Sequence, residues 1–326
     1  MEHKPMLRVK RSPACTGFST FFNLPYEKTL EDVDFVITGV PFDTHVTYRP
    51  GTRLGPDAVR DAYAFQGYSD AFGITLFDYI KGVDYGDLNV INVNPEATHD
   101  HIKEAIAEIA GAGVIPICVG GDHSIAYPEL CGYKEAIGKV AILHFDSHSD
   151  TGYHEMPEDA PHDHGTPFKD AILDDCILTE SSVQIGMRGL TPPMAQDYKF
   201  ATEHGMTVIP AAELHEIGIK EAAARIRKII GDAPVFLTFD IDFLDPIYAP
   251  GTGTPEGCGF STWDAIELIR YSLIGKNIIG MDLVEVNPLY DTSEKTAQAG
   301  KRIINEVLTL LACKKAGISK YEDFGE

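Results

Sequence analysis

The chain has 326 residues, 44% of them hydrophobic and 23% charged, enough to bury a sizeable core without disulfides or a structural metal. Its 49 acidic against 27 basic side chains give a formal charge of −22, which argues against nucleic acid as a partner and suits a cationic ligand or simple solubility. Cys15, Cys118, Cys131, Cys176, Cys258 and Cys313 lie far apart with no Cys-x-x-Cys pair, and no apolar run approaches the about 20 residues that cross a bilayer. A soluble cytoplasmic protein with reduced thiols is expected, without a secretory signal or a membrane partner.

In chain order, the first strand is expected over Val33–Val40. A helix follows over His99–Ala112, where Ile102, Ala105, Ile106 and Ile109 fall on one face. Apolar runs then predict strands over Val114–Val119, Val140–Asp146, Val183–Met187 and Met206–Ile209. Lys220–Ile230 reads as a helix, Val235–Asp240 as a strand, Thr262–Ser272 as a helix, Asn277–Val286 as a strand and 293–315 as a terminal helix. Strands apolar throughout are buried on both faces, and their alternation with helices predicts one α/β domain built on a mainly parallel sheet. That domain is placed over residues 31–326, after an N-terminal extension over 1–30.

Polar residues cluster where these strands end, which in open α/β sheets is where ligands bind. Asp146, His148 and Asp150 have i, i+2, i+4 spacing, so on extended chain their side chains point the same way. Asp240 and Asp242 repeat the i, i+2 pattern after another strand, and His123 follows a Gly-Gly pair after a third. Four carboxylates and two imidazoles suit a pair of divalent cations, and without a cation the clustered acids would repel one another. His144 shares the parity of Asp146 but lies deeper in its strand, and is read as buried or as supporting a ligand.

These residues resemble the ureohydrolase family, which includes arginase and agmatinase. The resemblance rests on Gly120-Gly121-Asp122-His123-Ser124, Asp146-Ser147-His148-Ser149-Asp150 and Asp240-Ile241-Asp242-Phe243-Leu244-Asp245-Pro246. Gly251-Thr252-Gly253-Thr254-Pro255-Glu256 and Glu285-Val286-Asn287-Pro288 extend it. The earlier Gly39-Val40-Pro41-Phe42-Asp43, Arg49-Pro50-Gly51 and Gly55-Pro56 are similar to the agmatinase branch. The resemblance implies a three-layer α/β/α domain, an arginase-like fold, and a trimer or hexamer of identical chains. It implies one divalent ion on His123, Asp146, Asp150 and Asp240, and a second on Asp146, His148, Asp240 and Asp242. Two such ions convert a shared water into a hydroxide nucleophile.

By the same resemblance, Glu285 pairs with the guanidinium group of a substrate and His164 transfers a proton to the leaving amine; Asp150 joins them as a catalytic carboxylate. His154 and His162 share the loop of His164 and stay open as rivals. His45 either lines the pocket or lies in an exposed loop, and Glu256 either attracts a cationic tail or is a surface acid. The family often has Ala and Thr where this chain has Ser147 and Ser149; both are expected to point away from the ligands.

The resemblance points to hydrolysis of a guanidino compound to urea and an amine, with agmatine, giving putrescine, as the leading substrate. Gly189, after Gly186-Met187-Arg188, and the stretch Thr151–Pro161 differ from arginase, which disfavours arginine. Guanidinobutyrate, guanidinopropionate and guanidine itself are the alternatives, and a metal-binding partner subunit is the non-enzymatic one. Mn2+ is the expected ion, with Ni2+ open.

Overall fold

Apolar runs such as Phe35–Val40 and Val235–Asp240 are buried at every position, so the strands they form must be covered on both faces. The computed structural model describes residues 19–63, 67–152, 162–189 and 198–321. In chain order the elements are β1 (Phe35–Val40), α1 (Gly55–Asp61), β2 (Tyr68–Ser69), β3 (Ile74–Thr75), β4 (Gly82–Asp87), α2 (Pro95–Gly111), β5 (Ile115–Gly120) and α3 (Ala126–Ile137). Then come β6 (Ala141–Phe145), α4 (Pro167–Leu173), β7 (Val183–Ile185), α5 (Lys199–Glu203), β8 (Thr207–Ile209), α6 (Ala211–Ile230), β9 (Val235–Asp240), α7 (Thr262–Leu273), β10 (Ile278–Val284) and α8 (Lys295–Lys315).

Eight strands form one sheet in the order β4-β1-β5-β10-β9-β6-β7-β8, with every neighbouring pair parallel. Alternate side chains leave opposite faces. Ile117, Val119, Leu143, Phe145, Leu237, Phe239, Met281 and Leu283 pack with Val59 of α1 and with residues of α6, α7 and α8. Cys118, Ile142, Phe236 and Val284 pack with α2, α3, α4 and α5 through Ile102, Ile106, Leu130, Tyr133, Phe168, Ala171 and Ala201. The result is the expected three-layer α/β/α arrangement.

On the second face one row is polar. Thr38, Cys118, Asp282, Thr238, His144 and Gln184 are successive cross-strand neighbours from β1 through β5, β10, β9 and β6 to β7. All six are fully buried. An internal polar row of this extent is stable only where its groups are hydrogen-bonded, and it runs one layer beneath the ligand-bearing strand ends.

Several elements differ from the sequence reading. β4 was not expected: Gly82-Val-Asp-Tyr-Gly-Asp carries two glycines and two acids, yet Asp84 is fully buried because Arg60 and the Phe21 amide bond it. α2 begins at Pro95, earlier than His99, with the Asn94 side chain accepting from the Ala97 amide. Lys220–Ile230 is the second half of α6, which bends at Gly218 (φ 76°). α3 escaped the apolar pattern because its inward face carries Glu129. Phe21, Phe22 and Leu24, inside the stretch read as an extension, are buried in the core.

The chain turns hard at the end of β5. Gly121 donates to the Val40 carbonyl and Asp122 to the Phe42 carbonyl, and a Cβ on Gly121 would stand 1.6 Å from the Phe42 oxygen. Gly121→Ala is therefore expected to destabilise the fold by about 3 kcal/mol, measured as a lowered urea midpoint. A variant as stable as the parent would refute this close approach.

Candidate metal centre

His123 stands in a short turn after β5, begun by Asp122, whose carboxylate accepts from the Ser124 amide. Asp240 closes β9 and caps the next turn by accepting from the Asp242 amide at 2.8 Å. Asp146 follows β6 and accepts from the His148 amide at 2.6 Å, while Asp242 accepts from the Ser147 amide at 3.0 Å. Asp150 adopts a left-handed conformation, φ 50°. The i, i+2, i+4 spacing therefore converges through turns beyond β6 and not through a continuing strand, as the sequence reading had it. Asp240 and Asp242 each use Oδ1 on a backbone amide, which leaves Oδ2 to face inward, while Asp146 has Oδ1 on the His148 amide and Oδ2 on the His144 ring.

Those inward atoms meet. His123 Nδ1 lies 2.9 Å from Asp150 Oδ2, 3.1 Å from Asp146 Oδ2 and 3.4 Å from Asp240 Oδ2. His148 Nδ1 lies 3.1 Å from Asp242 Oδ2 and 3.5 Å from Asp146 Oδ1. Two tight groups result among the described residues, His123, His144, Asp146 and Asp150 in one and Asp146, His148 and Asp242 in the other, sharing Asp146. Asp240 stands outside both but within reach of His123. His123 Nδ1 and Asp242 Oδ2 are buried and make no hydrogen bond. Orphaned lone pairs amid hard oxygen donors fit divalent cations. Of the six, only His148 has an appreciably open side chain, 28% exposed, which sets the entry side.

His144 is not free to bind an ion. Its Nε2 bonds Asp146 Oδ2 at 2.8 Å and its Nδ1 faces the Gln184 amide nitrogen at 3.0 Å, so the ring donates to Asp146 and accepts from Gln184. Burial drives its pKa down to about 4 despite Asp146, and the ring stays neutral. Thr238 plays a comparable part for His123, with Oγ1 2.8 Å from Nε2 and its own hydroxyl turned to Asp282. That bond keeps the proton on Nε2 and leaves Nδ1 as the lone pair facing the acids. Neither Gln184 nor Thr238 nor Asp282 was identified from sequence; a polar residue inside a buried strand was the available signal.

Without a cation the charges are in conflict. Burial, then Asp146, lifts Asp150 to about 6; burial, then Glu285, lifts Asp122 to about 7. Burial and the neighbouring acids also raise Asp240 and Asp242. Burial would raise Asp146 too, but His123 and His144 bond it and hold it well below the ordinary carboxylate range. Burial disfavours protonation of His123 and His148, but the carboxylates beside them raise both.

Glu285 leaves β10 with φ 62°, its amide bonded to the Gly121 carbonyl. Oε1 accepts from the His123 amide at 3.0 Å and from His164 Nδ1 at 2.8 Å, while Oε2 is buried without a partner. His164 is placed by backbone bonds, Gly152 to Gly165 and Phe168 to Asp150, that pinch together the ends of its loop. Burial opposes a charge on His164, but Glu285 outweighs it and raises the pKa to about 9. Against this, the Thr47 amide points at Nε2 from 3.1 Å, which requires a lone pair there. The fixed backbone donor decides between them, and the ring is the neutral Nδ1–H form in this arrangement.

Other sequence candidates sort by contact. His162 is exposed, paired with Asp170 and stacked on Tyr127. His45 is half-buried against Phe42 and His99, and His154 lies outside the described residues. Glu256 approaches His148 Nε2 at 3.9 Å. Ser147 was expected to point away from the ligands, but its Oγ lies 3.1 Å from His148 Nδ1, because the turn brings adjacent side chains together. Arg188 was missed: its guanidinium donates to the carbonyls of Gly186, Asp242, Leu244, Glu256 and Gly257, tying the end of β7 to the turn after β9. Asp43 accepts from Gly51 and pairs with Arg53, and Asn287 donates to the Arg49 and Pro50 carbonyls, so these motif residues are scaffold.

The arginase family profile matches residues 33–310. The chain is 40% identical to an agmatinase of Chromobacterium violaceum over 92% of this chain and 90% of that protein. It is 36% identical to a guanidinobutyrase of Pseudomonas aeruginosa, over 95% and 97%. The solved proclavaminate amidino hydrolase of Streptomyces clavuligerus superposes with a TM-score of 0.85 at 33% identity, covering 91% of this chain and 98% of that one. Fold, histidine–aspartate cluster and relatives together define a metal-dependent amidinohydrolase. The chain belongs to the arginase family.

Thr238→Val removes the acceptor behind His123 and should weaken divalent-ion affinity about 10–100-fold, read by equilibrium dialysis of Mn2+; unchanged affinity would remove Thr238 from this role. In the metal-free protein, Asp150, Asp122, His123 and His148 retain protons that the unfolded chain releases near 3.8 for the acids and 6.5 for the histidines. Through these four groups the folded state binds more protons, so stability falls as pH rises from about 4 towards about 8, against an opposing contribution from His144, held down to about 4, and from Asp146 below the ordinary carboxylate range. Loading with metal should flatten that fall and release protons. Urea unfolding of stripped and loaded protein checks it, and a metal-free stability that climbs with pH would refute it.

Proposed function

We propose that this enzyme hydrolyses agmatine to putrescine and urea with two Mn2+ ions held by His123, Asp146, His148, Asp150, Asp240 and Asp242. The observation that carries this is the unpartnered Glu285 Oε2, buried beside the convergent acids and facing the glycine loop: a Cβ on Gly253 would lie 3.4 Å from it. A planar guanidinium supplies the N–H donors this oxygen lacks. The chain's acidity and Glu256 beside His148 suit a second positive charge at the far end of the substrate.

When bound, the ion pair supplies an activated water as nucleophile at neutral pH. The protein does the rest. Glu285 orients the guanidinium, its Oε1 held by the His123 amide and His164 so that Oε2 alone is presented. To protonate the departing amine His164 must first take up a proton at Nε2, where the Thr47 hydroxyl can accept from it; Glu285 beside Nδ1 favours that imidazolium, and a cationic substrate on Glu285 then weakens its hold on the proton. Thr47, bonded at His164 Nε2, keeps the ring from rotating. His123, His164 and Glu285 thus form one connected unit.

A second reading has one observation in its favour. The Arg49 guanidinium stacks between Tyr48 and Tyr290, 5.0 and 4.9 Å from their ring centres, and its carbonyl also lies 3.4 Å from the Cβ position of Gly253. A cation at that rim suits a guanidino acid such as guanidinobutyrate. We further assign the enzyme to the cytoplasm, its catalytic domain to residues 31–326 with Phe21, Phe22 and Leu24 packed into its core, and its assembly to a trimer or hexamer of this chain, on the precedent of the family; among the described residues no helix is long and apolar enough to cross a membrane.

Urea release from agmatine, guanidinobutyrate, guanidinopropionate, arginine and guanidine under Mn2+ or Ni2+ tests this. Agmatine should give the highest kcat/KM; guanidinobutyrate ahead of it would establish the second reading, and no urea from any of them would overturn both. Glu285→Gln should lower kcat/KM about 10²–10³-fold with metal content unchanged. Loss of metal in that variant would instead make Glu285 part of the ion site.

A further inference from the structure

Two cysteines far apart in sequence meet between α3 and the segment that follows α4. Cys131 Sγ, on α3, lies 3.6 Å from Cys176 Sγ, in the segment after α4. We propose that Cys131 and Cys176 form a dithiol that a peroxide converts to a reversible intramolecular disulfide, tying α3 to the end of α4. A disulfide bond is about 2.05 Å long, so closure asks the sulfurs to approach by about 1.5 Å, within the reach of side-chain rotation.

The surroundings assign the two sulfurs different parts. Cys131 is half-buried and reachable, while Cys176 is buried. The Cys176 thiol bonded to Cys131 lowers the Cys131 pKa, burial opposes this, and Tyr127 adds to the lowering. The same bond, with burial, pushes Cys176 up. Cys131 is then the attacking thiolate and Cys176 the resolving thiol. The Cys131 sulfur attacks the peroxide O–O bond, giving a sulfenic acid and, from hydrogen peroxide, one water. Cys176 sulfur displaces the sulfenic hydroxyl, which leaves with the Cys176 proton as a second water. Both thiols are oxidised and one peroxide is reduced.

The neighbouring contacts hold the pair together. Tyr127 Oη donates to Asp174 Oδ2 at 2.5 Å, Lys134 Nζ to the Asp174 carbonyl at 2.6 Å, and the Cys176 amide to the Ala171 carbonyl at 2.8 Å. α3 continues directly from the turn bearing His123, and α4 from the loop bearing His164. The disulfide would therefore bridge the two scaffold elements that follow these residues, without touching either one.

Cys258 is exposed, so it serves as an internal control. The reduced full chain is treated with hydrogen peroxide, alkylated and peptide-mapped. The expected result is loss of both the Cys131 and Cys176 thiols into one linked peptide, restored by dithiothreitol, while oxidised Cys258 gives no intramolecular link. Cys131→Ser and Cys176→Ser should each abolish the link, and Cys176→Ser should leave a dimedone-trappable sulfenic acid at Cys131. The far-ultraviolet circular dichroism of each variant, matched to the parent, confirms that it folds. Cys131 and Cys176 both remaining alkylatable after Cys258 is consumed would overturn the proposal, as would a link formed only between molecules.

Discussion

Four carboxylates buried within a few ångströms of one another cannot all be charged in the absence of a compensating cation. Much of the architecture near the carboxyl ends of the strands answers that constraint. The turns after β6 and β9 direct backbone amides at one oxygen of Asp146, Asp240 and Asp242, and the imidazoles of His123 and His148 stand between the remaining oxygens. Metal-free, the cluster holds extra protons; a pair of divalent ions removes the need for them. The folded chain thus carries electrostatic stress that retained protons relieve in the metal-free state and that divalent ions would relieve in their place.

The support for that cluster is layered. Thr238 and Asp282 fix the proton of His123, and Gln184 with His144 braces Asp146 from the other side. Arg188 gathers carbonyls from three segments, so the turn carrying Asp242 and the loop carrying Glu256 keep their spacing. Glu285 joins the histidine–aspartate cluster to His164, since one oxygen is engaged by the His123 amide and His164 and the other is open.

The central strands and the positions of the ligand candidates were legible because both depend on short-range patterns: unbroken apolar runs and polar residues at their ends. β4 was not, because its buried Asp84 is explained by Arg60 and the Phe21 amide, partners on different elements. α3 was obscured by the inward-facing Glu129. The six ligand candidates were found by spacing, but the reason given for their convergence was incomplete: Asp150 has left the extended region and Asp242 sits in a turn. Thr47 was invisible for a plainer reason. Its amide meets His164 across 117 positions, and a backbone donor leaves no mark in residue type.

The polar row through β1, β5, β10, β9, β6 and β7 has a consequence for how the chain reaches this sheet. A slip of one residue sends each side chain of a strand to the opposite face. Were β9 to slip, Phe239 would replace Thr238 beneath His123, and Asp282 would face a ring it cannot bond. Parallel strands made of near-uniform Val, Ile, Leu and Phe discriminate weakly among such alignments, whereas one buried hydroxyl or carboxylate at a fixed depth does not tolerate them. The groups that steady the ligands therefore also proofread strand alignment during folding, so that the chain attains correct pairing and a competent ion site together.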